Sequence, residues 1–152
     1  MAKSAASILL LALAVALYFR EAATLQGAFF VQDVMVQNYP FRHFCSEALR
    51  QLDLPLWHPG INGGFPLFAE GQAGVLYPFN LLTALLLSTW VGISFNVVFH
   101  LWLGGAGTFA YLRLIGAGRA GALTGGLTFA LSGYAVVRAM SQNFVAVMAW
   151  MP

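Results

Sequence analysis

Residues 71–112 read GQAGVLYPFNLLTALLLSTWVGISFNVVFHLWLGGAGTFAYL, a run of 42 positions without an aspartate, glutamate, lysine or arginine. Uncharged runs of this length are typical of membrane segments, because about 20 apolar residues in a helix suffice to cross a bilayer. The composition of the 152-residue chain agrees, since 60% of the residues are hydrophobic and 8% are charged. Soluble globular domains carry many more charges. We therefore predict an all-α polytopic membrane protein.

The uncharged run is long enough for two crossings, or for one crossing and a re-entrant or interfacial piece. Charge placement decides between these alternatives. Arg113 and Arg119 flank a short turn, and the positive-inside rule puts this turn in the cytoplasm together with Lys3. An odd number of crossings must then separate the turn from an outer loop, and three do not fit. We predict one span at about 91–112, with residues 77–87 at or partly within the outer leaflet.

Two further predicted spans give about three transmembrane helices in total. The first covers about 4–24, although a cleavable signal peptide would begin in a similar way. The other covers about 120–138, after a cytoplasmic turn at 113–119, and a further apolar segment occupies 144–152. Small residues at every fourth position of this span predict close helix packing: Ala122, Gly126 and Ala130.

The outer loop is predicted at about 25–90. The five acids of the chain fall within or just before it: Glu21, Asp33, Glu47, Asp53 and Glu70. Pro40 begins an amphipathic pattern over 40–52, which predicts a helix lying in the membrane interface. The prolines and glycines that follow forbid long regular elements, whereas the aromatic residues among them favour an ordered loop.

Asp33 is the sharpest candidate for chemistry. A carboxylate in an apolar stretch beside a membrane is costly unless it is solvated or paired. The alternative is an ordinary interfacial acid in contact with water. Arg138 could hold a phosphate, because a guanidinium donates two parallel hydrogen bonds to phosphate oxygens, or it could reach toward lipid headgroups.

Other motifs favour structural roles. His43 and Glu47 could share a metal, with His58 and Glu70 as further ligands, but a solvated polar face is favoured and we assign no metal site. His100, within a span, is expected to be hydrogen-bonded between helices. Residues 116–121 match GxGxxG without the strand that a dinucleotide site needs, and no long basic run predicts a nucleic-acid partner. The lone cysteine excludes an internal disulfide.

A family resemblance covers roughly residues 30–152. Its motifs are Asp33 with Gln37 and Pro40, then PLWHPGINGGFPLFAEGQAGVLYPFNLL, a histidine-bearing span, a Leu-Arg-Leu-Ile-Gly turn, LTFALSGYAVVRAM and FVAVMAWMP. Together they resemble the N-terminal part of bacterial YfhO-type membrane proteins, which look like GT-C-type glycosyltransferases.

The resemblance implies an enzyme of the bacterial cytoplasmic membrane that transfers a sugar from a polyprenyl-phosphate donor to a cell-envelope acceptor on the outer side. It implies that Asp33 activates the acceptor or helps to hold a divalent metal. Gln37, Glu70 and Arg138 are then candidates for substrate binding. His58 and the Glu70-Gly71 pair depart from the family pattern, where an asparagine and an Asn-Pro-like pair are expected.

Two other functions stay open. The chain could be a small non-catalytic subunit that packs in a larger membrane complex, or a transporter, although the paired broken helices typical of transporters are not visible. An apolar segment that stops at Pro152 favours the N-terminal part of a longer polytopic protein, whose remaining helices would be its nearest partners.

Overall fold

The computed structural model describes residues 2–27, 29 and 33–152. It is all-helical, with 70% helix and no strand among the described residues, which confirms the all-α prediction. The α-helices are α1 (Ala2–Tyr18), α2 (Arg20–Ala23), α3 (Tyr39–Arg50), α4 (Pro78–Leu86), α5 (Thr89–Leu114), α6 (Arg119–Ala130), α7 (Gly133–Arg138) and α8 (Gln142–Ala149).

Helix α5 is the centre of the fold, and α1, α4, α6 and α8 pack against it. It contains the predicted span 91–112 and ends where Gly116 adopts a φ of +90°, a left-handed conformation that favours glycine after a helix. Arg113 Nη1 also donates to the carbonyl of Ala117 at 2.6 Å. The main buried cluster joins α1, α5, the end of α6, α7 and α8: Val15, Val97, Leu101, Ala130, Ala135, Ala139 and Val145.

The small-residue face of α6 packs as predicted. A Cβ atom on Gly126 would lie 2.7 Å from the carbonyl oxygen of Gly105 in α5, and a Cβ on Gly105 would lie 2.9 Å from that of Gly126. Ala122 and Ala130 on the same face are fully buried. The backbones of α5 and α6 therefore touch at a point where only glycine fits.

The other two predicted spans differ from the observed helices. The first divides into α1 and the short α2, and its apolar part, Ser4–Tyr18, is shorter than a full crossing. The span 120–138 bends after Ala130, where Ser132 Oγ accepts from the Ala135 amide and starts α7. By length and composition, two helical stretches of the described chain could cross a membrane, Thr89–Leu114 and Arg119–Arg138.

The predicted amphipathic helix is α3, but it does not lie free. Its apolar side packs into a separate cluster within the loop: Phe41, Cys45, Leu67, Ala73 and Val75. Its polar side binds the end of α4, where Ser46 Oγ donates to the Ala84 carbonyl at 2.7 Å and Arg50 donates to the carbonyls of Ala84 and Leu87 at 3.0 and 2.5 Å. The carbonyls at the end of α4 that have no partner within that helix accept these hydrogen bonds, so α3 is held between the loop cluster and the end of α4.

Helices α4 and α5 form a hairpin, because α4 runs back along the first half of α5. Gly92 lies close to Thr83, and Tyr77, just before α4, contacts His100. His100 is eleven residues into α5, so the chain before α4 lies about 16 Å along that helix from its start. The segment 77–87 is thus folded against the predicted span.

Candidate functional site

Asp33 and Ser141 come together although they are 108 residues apart. Ser141 Oγ donates to Asp33 Oδ2 at 3.0 Å. Asp33 stands just before the π-helical turn Val34–Asn38 but does not use its side chain to cap that turn, and Ser141 precedes α8. The carboxylate is exposed, which favours the solvated interpretation over burial in apolar surface. Its other lone pairs stay available to a ligand.

Arg138 lies one turn from this contact. Its backbone carbonyl accepts from the Ser141 amide at 2.8 Å, and its guanidinium carbon lies 4.6 Å from the ring centre of Phe144 and 5.5 Å from that of Tyr134. These cation–π contacts hold the side chain without neutralising it. No carboxylate of the described chain pairs with Arg138, because the one ion pair found there joins His43 and Glu47.

The two other predicted substrate-binding residues have different settings. Gln37 is half-buried in the π-helical turn that follows Asp33. Glu70 accepts from the Ala73 amide through Oε2 at 2.9 Å, which caps the 3₁₀ turn Gly71–Ala73. The carboxylate of Glu70 thus has a local structural role that its position in a Gly-rich loop did not reveal.

The residues weighed for a metal lie apart. His43 and Glu47 are an exposed pair at 3.5 Å, whereas His58 packs on Phe44 and its Nδ1 accepts from the Gly60 amide. Within the described ranges no three histidine, cysteine or acidic side chains cluster as metal ligands would. The glycines at 116–121 form the turn between α5 and α6, without a preceding strand.

A chain of hydrogen bonds runs inward from Trp150. Its Nε1 donates to Tyr77 Oη at 2.9 Å, and Tyr77 Oη lies 2.6 Å from His100 Nε2. His100 Nδ1 lies 2.6 Å from the carbonyl oxygen of Asn96, so Nδ1 must carry the proton. Nε2 of the neutral ring then accepts from the Tyr77 hydroxyl. The expectation that His100 is hydrogen-bonded between helices is confirmed in part, because its partner outside α5 is Tyr77, which lies just before α4.

The surroundings of Arg42 were not expected from the sequence. Its guanidinium makes no hydrogen bond with another described residue, and burial lowers its pKa to about 10, with the nearby Cys45 acting in the opposite direction. Arg42 borders a cavity of about 20 Å³ that Asn96 also lines, and Asn96 Oδ1 is buried without a partner. One water molecule fits a polar space of this size and could bridge the two groups.

Sequence reasoning missed Ser141, Arg42 and the Trp150–Tyr77 contact. The amphipathic pattern over 40–52 puts Arg42 on the polar face of α3, but helical spacing shows which side chains share a face and not what covers that face. Ser141 lies outside the quoted motifs, and Trp150 lies in one of them, FVAVMAWMP, without a signal for its partner.

Comparisons with known proteins add no further constraint: no family model, curated protein or solved structure matches the chain.

Proposed function

We propose that this chain is part of a membrane glycosyltransferase that moves a sugar from a polyprenyl-phosphate donor to a cell-envelope acceptor outside the bacterial cytoplasmic membrane. The contact between Asp33 and Ser141 carries the proposal. It fixes an exposed carboxylate next to the segment that bears Arg138. A base beside an unpaired cation is the pair that displacement of a phosphate from an anomeric carbon requires.

In the proposed reaction, an acceptor hydroxyl attacks the anomeric carbon of the donor sugar. Asp33 takes the hydroxyl proton while the new carbon–oxygen bond forms. The bond between the anomeric carbon and the phosphate oxygen breaks, and its electron pair leaves with the polyprenyl phosphate. Arg138 stabilises the charge that develops on that phosphate. A divalent metal, should one take part, would neutralise the same phosphate.

The membrane setting rests on apolar surface as well as on helix length. Leu9, Leu13 and Leu17 follow one another at every fourth position of α1, and they are 69%, 54% and 62% exposed. Such a stripe needs lipid or other helices to cover it. We therefore propose three crossings, by α1–α2, by α5 and by α6–α7, with a cytoplasmic N-terminus and the loop 25–90 outside.

Replacement of Asp33 tests the function. The assay follows transfer of labelled hexose from polyprenyl-phosphate glucose, galactose and mannose in membranes that contain the full-length protein. We expect Asp33→Asn to lower kcat by at least about a hundredfold, the usual contribution of a general base. Asp53→Asn is the matched control, since Asp53 is an exposed acid of the same loop whose carboxylate binds only the adjacent Leu54 amide. Normal transfer by Asp33→Asn would remove Asp33 from catalysis.

The exposed leucine stripe of α1 also supports a second candidate, a non-catalytic subunit that docks on partner helices. This candidate predicts that the protein copurifies in a stoichiometric complex under mild detergent, and that Leu13→Gln releases it. Transfer activity of the protein purified alone would exclude it.

A further inference from the structure

A cleft of about 230 Å³ lies between the chain before α4 and one face of α8. Its wall on the loop side includes Gly71, Gly74, Tyr77 and Asn80, and its wall on α8 includes Asn143 and Trp150. We propose that this cleft binds one neutral sugar ring. The inference deepens the proposed function, because it assigns a sugar subsite beside Asp33.

The cleft combines apolar surface with two asparagine side chains, which suits a neutral ligand that has both C–H faces and hydroxyl groups. No charged side chain lines it, and the carboxylate of the adjacent Glu70 is already bonded to the Ala73 amide. A phosphate or a carboxylate ligand would therefore find no counter-charge there. A purely apolar ligand would leave the side-chain amide of Asn143 and the carbonyl oxygen of Asn80 without hydrogen bonds, which is costly in a partly buried site.

Trp150 supplies an aromatic surface that is held in place. Its side chain is 63% exposed, yet its Nε1 is fixed by the bond to Tyr77 Oη. Tyr77 is in turn bonded to His100. An aromatic ring anchored in this way packs against the C–H face of a pyranose at little cost in side-chain freedom.

The amides supply donors and acceptors for hydroxyl groups. Asn80 uses its Nδ2 to donate to the Gly74 carbonyl at 2.8 Å, which leaves its carbonyl oxygen as an acceptor. The side-chain amide of Asn143 has no hydrogen-bond partner in the described part of the chain. A carbonyl oxygen accepts and an NH₂ group donates, so the pair can bind adjacent sugar hydroxyls.

The size and backbone of the cleft fit one ring. Drug-sized ligands need roughly 300 Å³ or more, so 230 Å³ suits a single monosaccharide. Space at Gly71 is open, since a Cβ atom there would meet nothing within 4 Å. Gly74, with a φ of +53°, lets the loop turn beside Asn80.

The cleft also lies where a reacting sugar is needed. Asn143 is two residues from Ser141, which holds Asp33, so the α8 wall starts within one helical turn of the proposed base. Trp150 lies about 10 Å further along α8.

Binding of methyl glycosides tests the subsite directly. The full-length protein in lipid nanodiscs is probed by saturation-transfer NMR with methyl β-D-glucopyranoside, methyl β-D-galactopyranoside and methyl α-D-mannopyranoside. We expect a signal from at least one of them, and about tenfold weaker binding with Trp150→Ala, the loss typical of one aromatic contact. Asn143→Ala should weaken binding as well, and it breaks no described hydrogen bond. Trp57→Ala, which removes an exposed tryptophan outside the cleft, should bind like the wild type.

Trp150→Phe separates binding from folding, because it keeps an aromatic ring of smaller area and loses the N–H bond to Tyr77. We expect Trp150→Phe to retain more affinity than Trp150→Ala at equal melting temperature. Equal glycoside signals from wild type, Trp150→Ala and Asn143→Ala would overturn the subsite, as would the absence of a signal from all three glycosides.

The same experiments distinguish the two proposals. Asp33→Asn should abolish transfer while glycoside binding is unchanged. Transfer that depends on Asp33, with the KM of the sugar substrate unaffected by Trp150→Ala, would keep the function and reject the cleft. Glycoside binding that depends on Trp150, in a protein without transfer activity, would keep the cleft and reject the function.

Discussion

Two arginines of α3 show how differently one residue type can be accommodated. Arg50 is exposed and donates to two carbonyls at the end of α4, Ala84 and Leu87. Such bonds satisfy groups that the helix cannot pair internally, and the cation also faces the negative end of the α4 dipole. Arg42, two turns earlier, is largely enclosed and has no described protein acceptor. A buried cation without a partner costs free energy.

Methionine substitutions at these two positions should therefore differ in effect. Arg50→Met should lower the free energy of unfolding by about 1 kcal/mol, because it removes two charge-assisted bonds at an exposed site. Arg42→Met keeps a chain of similar length and removes the buried charge, so the melting temperature should stay the same or rise. Thermal unfolding of the two purified variants, followed by circular dichroism in detergent, measures both. An equal loss in Arg42→Met would mean that Arg42 has a stabilising partner such as an ordered anion.

The role of a single residue could be predicted from the sequence where that role depends on nearby positions in the chain, and not where it depends on distant elements packing together. Asp33 stood out because it is a lone acid in an apolar stretch, whereas its contact with Ser141 depends on tertiary packing. The side chain of Glu70 caps a turn by accepting from the amide three residues later. This is a local pattern that is easily overlooked when an acid is considered for catalysis. The asparagines of the cleft have no local signal, since their role depends on α8 packing beside the loop.

At the level of helices, the α5–α6 contact is the most sensitive to side-chain size. Each glycine of the pair Gly105 and Gly126 faces the other's carbonyl oxygen at a distance that no Cβ atom tolerates. Gly121, in the same helix, faces open space. Hence Gly121 and Gly126 share helix propensity but differ in packing.

Substitution of valine at Gly121 and at Gly126 separates the contribution of packing to stability from that of helix propensity. We expect Gly126→Val to destabilise the protein by about 2–3 kcal/mol more than Gly121→Val, because overpacking forces the two backbones apart while the propensity change is common to both. The difference is measured from thermal unfolding of both variants in one detergent. Equal melting temperatures would show that α5 and α6 do not touch at Gly126.

The sequence predicts where helices form more reliably than it predicts where they are interrupted. The uncharged run 71–112 predicted α5 to within two residues at each end, because apolar composition and flanking arginines define it. The break between α6 and α7 was missed, since Ser132 and Gly133 read as small residues of one span. The enclosed position of α3 was also missed, because it depends on open carbonyls of α4, a partner that helical periodicity does not reveal.

The orientation of the whole molecule in the membrane depends on which helix ends face the cytoplasm. Arg113 and Arg119 at the α5–α6 turn predict that this turn is inside and that the loop 25–90 is outside. Cysteine labelling can read this arrangement, because the single native cysteine gives a low background. Cys45 is buried, and burial raises the pKa of its thiol to about 11, an effect that the positive charge of Arg42 reduces. Since only the thiolate reacts, Cys45 should stay unlabelled at pH 7 and gain reactivity only as the pH approaches 11.

We expect a membrane-impermeant maleimide to label Ala69→Cys in intact bacteria and Gly118→Cys only after permeabilisation. Both substitutions are structurally tolerable, since Ala69 is exposed in the loop and a Cβ at Gly118 meets nothing within 4 Å. The unsubstituted protein serves as the control for Cys45. Labelling of Gly118→Cys from outside would mean that an even number of crossings separates the loop from the turn. The α4–α5 hairpin would then cross twice, and the prediction of a single crossing between the loop and Arg113 would be wrong.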